Sequence, residues 1–342
     1  MDFQLDDDQR ALRDGMRELL ERRFPRARLR TVVDGHGGAA ALDRTLWREL
    51  GAAGFFALRL PEAAGGVGLG LPEAVLAMEE AGGALLPGPL VATQLAAGLN
   101  ATDATDAAYA TAAAEGAAVV TALDLDAGAD GLVEHLASAD AVLMLSGEDA
   151  EVLAAAALAD PARPIRSVDP ATPLHRVRPP AVTPAGVTDA AGFPGAAARL
   201  RREAALLTAA QQLGSASRTV RMAVDHATER TQFGRPIGAF QAVQHLCAQM
   251  LVRAESARSV VYAAAVTEEA GDIAAAKLLA DEAAVRNARD CLQVHGGMGF
   301  TWEADVHLHL KRAWVRAGQW QTAAGAEEEL AAGLLLTGET GL

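Results

Sequence analysis

The sequence predicts a mostly helical protein interrupted by one small β-rich segment. Hydrophobic residues make up 51% of the 342-residue chain but aromatics only 4%, so the apolar mass is largely alanine and leucine, both strong helix formers. Apolar residues recur at helical spacing through the first and last thirds. Between these stretches, short apolar runs are broken by Pro161, Pro164, Pro170, Pro173, Pro179, Pro180 and Pro184, a density that excludes long helices there. At about 150 residues per domain the length has room for two or three folded units. The pattern divides the chain into an N-terminal helical domain at 1–112, a small β domain at 113–196 and a C-terminal helical bundle at 197–342.

Along the chain, Asp6 is a good N-cap with Gln9 as its capping-box partner, and Leu12, Met16, Leu19 and Leu20 then share one helical face. Leu46, Trp47 and Leu50 repeat the pattern until Gly51 and Gly54 stop it. Pro72 opens another helix that ends at Gly82 and Gly83. Ala118 to Leu125, Ala141 to Leu145 and Ile165 to Val168 read as strands, and Val152 to Ala159 fits strand or helix. A long helix is expected from Glu203 to Arg230. The next carries Phe240, Val243, Cys247, Met250, Ala254, Ala257 and Val261, the alternating three-and-four seam of antiparallel bundle helices. A third runs from about Asp272 to Leu292, a fourth from about Trp302, and a fifth lies near the end.

Thirty basic residues stand against 44 acidic ones, a net charge of −14, which disfavours neutralising a phosphate backbone. Nucleic acid is not an expected partner. Only Lys277 and Lys311 are lysines, which by itself suggests coding bias. Cys247 and Cys291 are too few for a disulfide framework, and a reducing cytoplasm suits them. The first residues are acidic where a signal peptide is basic, and no apolar run approaches the ~18 residues of a membrane span.

Several motifs have plain explanations. Gly65, Gly66, Gly68 and Gly70 match no phosphate-binding fingerprint and read as a turn. His307 and His309 stand two apart on an expected helix and face different ways, so no metal site is expected. Cys247 occupies a seam position, where a thiol is a small hydrophobe.

Two segments carry chemistry. The first, residues 229–245, joins two bundle helices and presents Arg230, Gln232, Phe233, Arg235 and Gln241, a set suited to an anionic, planar ligand or to an ordinary helical hairpin. The second, residues 293–303, holds Gln293, Gly296, Gly297 and Gly299; its glycines permit close backbone approach, although a helix break explains it equally well.

Taken together, RTQFGRPIGAFQAVQH and QVHGGMGFTWE resemble the acyl-CoA dehydrogenase family. The likeness extends to MDFQLDDDQRALRDGMRELL and to the stretch LWRELGAAGFFALRLPEAAGGVGLGLPEAVLAMEEAG. It implies an N-terminal helical domain, a middle β-barrel, here abbreviated, and a C-terminal four-helix bundle. It also implies FAD at a subunit interface, held partly through Arg230, Gln232, Phe233, Gln241, Gln293, Gly296 and Gly297. The implied reaction removes the α-proton of an acyl-CoA thioester by a glutamate while the β-hydrogen leaves as hydride to flavin.

Two departures from that pattern stand out. The usual base position near the C-terminus falls on Trp320, flanked by Gln319 and Gln321. Some members place the base early in the first bundle helix, where Glu203 lies; an acid favoured by the helix dipole is the alternative account. The Gly-x-Lys-x-aromatic strand of the middle domain is missing, since no lysine precedes Lys277. The resemblance therefore points to the hetero-oligomeric type, in which a subunit without the base works with a homologous partner. A self-sufficient flavin dehydrogenase or oxidase using Glu203, or a flavin-free scaffold, are the alternatives.

Overall fold

A computed structural model describes residues 4–35, 42–99, 104–127, 131–158, 160–177 and 193–339. Its elements run α1 (Asp7–Arg23), α2 (Arg26–Asp34), α3 (Arg44–Ala52), α4 (Leu71–Gly83), α5 (Leu90–Ala97), α6 (Ala104–Ala114), then β1 (Val120–Asp124), β2 (Gly131–Glu134), β3 (Ala141–Ser146), β4 (Asp149–Ala154), β5 (Ala162–Ile165) and β6 (Leu174–Val177). The long α7 (Ala197–Glu229) leads into a tight hairpin of β7 (Thr231–Gln232) and β8 (Arg235–Pro236). The chain closes with α8 (Gln241–Thr267), α9 (Ala270–His295), α10 (Val306–Ala317) and α11 (Ala323–Glu339). The residues group into two compact units, one of Met1–Arg22, Val75–Leu86 and Ala205–Leu342, the other of Arg23–Ala74 and Pro87–Ala204.

In the first unit, α1 begins as its sequence dictates. The Gln9 amide donates to Asp6 Oδ1 at 2.8 Å, and the Asp6 amide donates back to Gln9 Oε1 at 3.2 Å. Met16 and Leu20 are its buried face. The C-terminal turns of α4 lie directly against α7. A Cβ on Gly214 would stand 1.8 Å from the Glu79 carbonyl oxygen, and one on Gly82 2.1 Å from that of Gln211. No side chain fits at either place, so the backbones themselves are in contact. The α8 seam is buried at Met250, Ala254, Ala257 and Val261, as its spacing predicts, and packs on the alanine-rich face of α9.

Polar groups inside this bundle are paired. Lys277, fully buried, donates to Asp281 and to the Arg316 carbonyl, and Gln212 donates to Asp281 Oδ1 at 2.8 Å and to the Ala313 carbonyl at 3.0 Å. Burial lowers the Lys277 pKa and raises that of Asp281, and their mutual attraction opposes both shifts. His309, on the buried side of α10, shares a 2.8 Å hydrogen bond with Ser215, while His307 stacks on Trp302. The two histidines do face different ways. Among the described residues no group of three or more potential ligands could hold a metal.

In the second unit, Asp43 caps α3 by accepting from the amides of Thr45 and Leu46. Trp47 is buried and donates through Nε1 to the Ala118 carbonyl at 3.3 Å, tying α3 to the entry of β1. The Gly65–Gly70 run is a turn: Gly65 has φ +80°, and the Gly70 amide donates to Glu73 at the start of α4.

The β region forms two three-stranded sheets, ordered β1-β3-β4 and β2-β6-β5. Strand β1 pairs parallel to β3, and every other pairing is antiparallel. They enclose a common core of Leu123, Val133, Leu136, Val142, Leu158, Ala162 and Val177. The ambiguous run at Val152 ends β4 and then turns into a short 3-10 helix, Ala155–Leu158; Ala159 lies outside the described residues. The strand expected at Ile165 to Val168 stops at Ile165, its first residue. Pro179, Pro180 and Pro184 also lie outside the described residues.

No helix among the described residues is long and apolar enough to cross a membrane. Gly214→Ala is expected to destabilise the protein by ~2–3 kcal/mol or more, because a methyl group at that site must push two helix backbones apart. Urea denaturation of the variant checks this, and a change below ~0.5 kcal/mol would remove the contact from its proposed importance.

Candidate functional site

All seven residues assigned to cofactor binding lie in the first unit, at the end of α7, in the hairpin, at the start of α8 and around the end of α9. The two sequence segments are brought together by histidines. His226, one turn before the end of α7, stacks on His295, the last residue of α9, with ring centroids 4.1 Å apart and planes 15° from parallel.

The hairpin is the smallest possible. Thr231 pairs with Pro236 and Gln232 with Arg235, leaving Phe233 and Gly234 as a two-residue loop with φ +53° and +77°. Positive φ at both positions is the type I′ turn. Glycine meets that demand freely, whereas a phenylalanine meets it at a cost and is turned outward, 91% exposed. Its ring touches Phe240 edge to face at 6.0 Å, and Arg235 lies over the other face region of that second ring, 4.3 Å from its centroid.

Around this apolar tip the polar groups point to solvent. Arg230 and Gln241 are exposed, and among the described residues neither side chain has a hydrogen-bond or ion-pair partner. Gln232 donates only to the adjoining Thr231 carbonyl at 2.8 Å. Gln241 is the first residue of α8, whose cap, Phe240, supplies no side-chain acceptor, so amides of that helix start remain available.

Across the histidine stack, Gln293 is exposed, and α9 ends at Gly296, with φ +60° and ψ −140°. That backbone geometry is confined almost wholly to glycine. Nothing lies within 4 Å of a Cβ built on Gly296 or Gly297, so a ligand can approach bare backbone there. Gly299 differs: a Cβ would meet the Leu292 carbonyl at 2.9 Å, which makes it a packing glycine. Together the segments offer two guanidiniums, Arg230 and Arg235, three amide side chains in Gln232, Gln241 and Gln293, an exposed ring and free backbone, a set fitted to the phosphates and base of a nucleotide.

Trp320 follows α10 in a tight turn and adopts a left-handed conformation with φ +63°. A bulky residue there costs roughly 1–2 kcal/mol. Its neighbour Gln321 holds Oε1 buried with no hydrogen bond among the described residues. No carboxylate stands at this turn.

Glu203 belongs to the second unit. It is the seventh residue of α7, two turns in, so the dipole of the first turn does not account for it. Ion pairing does. Arg59 donates to Oε2 and Arg199 to Oε1, each at 2.7 Å, and the carboxylate is 5% exposed. Burial would raise its pKa, but the two guanidiniums outweigh burial and hold it below the usual carboxylate range. A carboxylate so paired has low proton affinity, and both its oxygens are engaged. The Arg59 partnership, 144 residues distant, was invisible in the sequence.

The cysteines offer no nucleophile. Burial, then the charges of Cys247 and Asp290, push the Cys291 thiol up to about 12.

The histidine stack makes the joined segments sensitive to acid. Burial first, then His295 and Arg230, lowers the His226 pKa, so the folded protein favours the neutral ring. Its contribution is complete above the unfolded histidine value near 6.5 and is lost as pH falls through the lower folded value. Tm measured between about pH 7.5 and about pH 5.5 is expected to fall less for His226→Phe than for the wild type. Equal slopes would show that the stack carries no acid sensitivity.

Comparison with known proteins identifies the family. The family model for the acyl-CoA dehydrogenase N-terminal domain matches residues 6–117, and that for the C-terminal domain matches residues 190–331. The acyl-CoA dehydrogenase IpdE2 of Mycobacterium tuberculosis is 35% identical over 309 residues, covering 86% of this chain and 91% of that protein. FadE34 of the same organism is 33% identical over 86% of this chain, which spans 44% of that longer protein. Among solved structures, the ChsE4–ChsE5 complex from M. tuberculosis superposes with a TM-score of 0.82 at 25% identity, covering 98% of this chain and 99% of the matched one. PigA, solved with FAD and proline, gives 0.82 at 20% identity over 98% of this chain and all of the other, a likeness of fold alone. Family models covering both ends of the chain, and relatives alike along nearly its whole length, establish that it belongs to the acyl-CoA dehydrogenase family.

Proposed function

We propose that this chain is one subunit of a hetero-oligomeric acyl-CoA dehydrogenase, holding FAD through its two motif segments while a homologous partner supplies the catalytic base. The observation that carries this is the contrast between the two ends of the first unit's chemistry. Arg230, Gln232, Phe233, Gln241, Gln293, Gly296 and Gly297 are all presented outward, yet the turn where the family's usual base would stand holds Trp320 between two glutamines. Indole accepts no proton near neutral pH. The ChsE4–ChsE5 structure, a complex of two different chains, is a precedent for the assembly of unlike chains.

FAD, when bound, supplies the acceptor for the hydride that leaves the β-carbon of an acyl-CoA thioester. This chain's own part is binding and orientation. Arg230, Gln232, Gln241 and Gln293 would hold the cofactor by charge and hydrogen bonding, Phe233 by ring contact, and the bare backbone at Gly296 and Gly297 would admit its phosphates. The exposed apolar tip, with Met298 and Phe300 also largely exposed nearby in sequence, leaves the site open on one side for a second subunit to close.

Glu203 serves as an anchor rather than a base. Its removal is expected to cost stability, ~1–3 kcal/mol once the partial exposure of both arginines is allowed for, and to leave turnover of the complex nearly unchanged. Urea denaturation and steady-state kinetics of Glu203→Gln separate the two effects, and a loss of turnover beyond ~100-fold with normal stability would return the base role to this residue.

The whole proposal is tested by purifying the chain alone and together with a homologous partner. Flavin absorbance and acyl-CoA oxidation are expected from the pair and not from the lone chain, and Arg230→Ala in the pair should weaken flavin binding about tenfold or more. Full flavin loading and turnover by the lone chain would overturn it.

A further inference from the structure

We propose that a cleft between α1, the end of α4, α7 and α8 is a second binding site, distinct from the cofactor segments, for a small molecule that carries phosphate. The cleft encloses about 690 Å³, within the usual range for small-molecule sites, and lies wholly inside the first unit. Five arginines line it, Arg10, Arg13 and Arg17 on one face of α1, Arg221 on α7 and Arg258 on α8. Only two carboxylates, Glu79 and Glu80, line it with them. Asp7, Asp14 and Glu255 answer Arg10, Arg13 and Arg258 from outside the lining, which leaves Arg221 as the lining arginine with no ion pair among the described residues.

The pairing within the cleft shows which cations are available. Glu80 is taken by Arg17 through both oxygens, at 3.0 and 2.6 Å. Glu79 accepts from Arg258 at 3.2 Å and from the Tyr262 hydroxyl at 2.7 Å. Both carboxylates are thereby committed. Arg10 and Arg13 have ion-pair partners only in Asp7 and Asp14 on their own helix, where exposed pairs are weak and exchange readily. Arg221 has no ion pair or hydrogen bond among the described residues. Though the residue as a whole is exposed, desolvation of the part that enters the cleft, with Arg218 and Arg17 adding to it and Glu80 and Glu79 opposing, lowers its pKa.

An oxyanion placed here meets guanidiniums from more than one helix. Phosphate, with several acceptor oxygens, can use Arg10, Arg13 and Arg221 together, whereas a single carboxylate has two oxygens to offer. Ser217 accepts from Arg258 at 2.8 Å and keeps its own hydrogen to donate. Gly83 and Gly214 also line the cleft, where the α4 and α7 backbones meet. Arg221 lies nine residues before Arg230, roughly 13 Å along α7. No lining residue belongs to the two cofactor segments.

Calorimetric titration of the full chain with inorganic pyrophosphate at low salt tests the assignment, with acetate as the carboxylate arm. Pyrophosphate is expected to bind and to raise Tm, acetate to bind at least tenfold more weakly. Arg221→Ala, an exposed residue whose loss breaks no internal bond, should weaken pyrophosphate about tenfold, as should Arg10→Gln with Arg13→Gln. Absence of binding at millimolar pyrophosphate, equal affinity in Arg221→Ala, or acetate binding as tightly as pyrophosphate would overturn the proposal. Loss in Arg230→Ala but not in Arg221→Ala would also overturn it, by assigning the ion to the cofactor segments.

Discussion

Direct contact between the backbones of α4 and α7 is the constraint on which the first unit is built. Where helices pack through side chains their axes stand 8–10 Å apart, on the order of what most bundles show. At Gly82 and Gly214 there is no room for a single methyl group. A contact that close tolerates little sliding or rotation, because neither side can adapt by changing a rotamer. Gln211, whose carbonyl meets Gly82, also reaches the Met78 sulfur through its side chain, so the crossing is fixed by more than one row of atoms. The direction of α7 is set there, and with it the place at which the helix delivers His226, Arg230 and the hairpin.

Charge inside the protein follows one rule with two outcomes. Where carboxylates and cations are matched, they hold elements together: Arg201 grips Asp124 with two nitrogens, 2.8 and 2.9 Å, binding the start of α7 to β1, and Glu203 draws Arg59 and Arg199 to itself. Such buried or half-buried pairs specify geometry more than they add stability. Where a cation has no ion-pair partner among the described residues, as at Arg221 and Arg230, it is open to a ligand from outside the chain. The same physical accounting separates Glu203, whose two oxygens are both taken by arginines, from Arg221, which has no ion pair among the described residues.

Much of the helical frame was legible because it is written in short-range patterns. The Asp6–Gln9 capping box, the Leu46–Trp47–Leu50 face and the α8 seam at Met250, Ala254, Ala257 and Val261 each depend on residues within a turn or two of one another. Strands β2 and β6 were missed because four residues carry too little alternation, and because what stabilises Val133 and Val177 is a core shared with residues from other strands. The motif segments were legible as segments. Their joining through the His226–His295 stack was not, since nothing local couples residues 69 positions apart. The arginine cleft was hidden for the same reason: Arg10, Arg13 and Arg17 lie on α1, and only the fold brings α4, α7 and α8 against them.

The scarcity of lysine has a practical consequence. Lys277 is sealed within the bundle, 1% exposed, and Lys311 lies 4.8 Å from the centre of the Trp302 ring, only partly covered. The described chain therefore presents a single side-chain amine to solvent, and it sits beside an indole next to the glycine-rich segment after α9. Amine-directed labelling, which on most proteins gives a mixture of many species, would here have one accessible side-chain target besides the chain's α-amine, and that target is already paired with a natural tryptophan quencher.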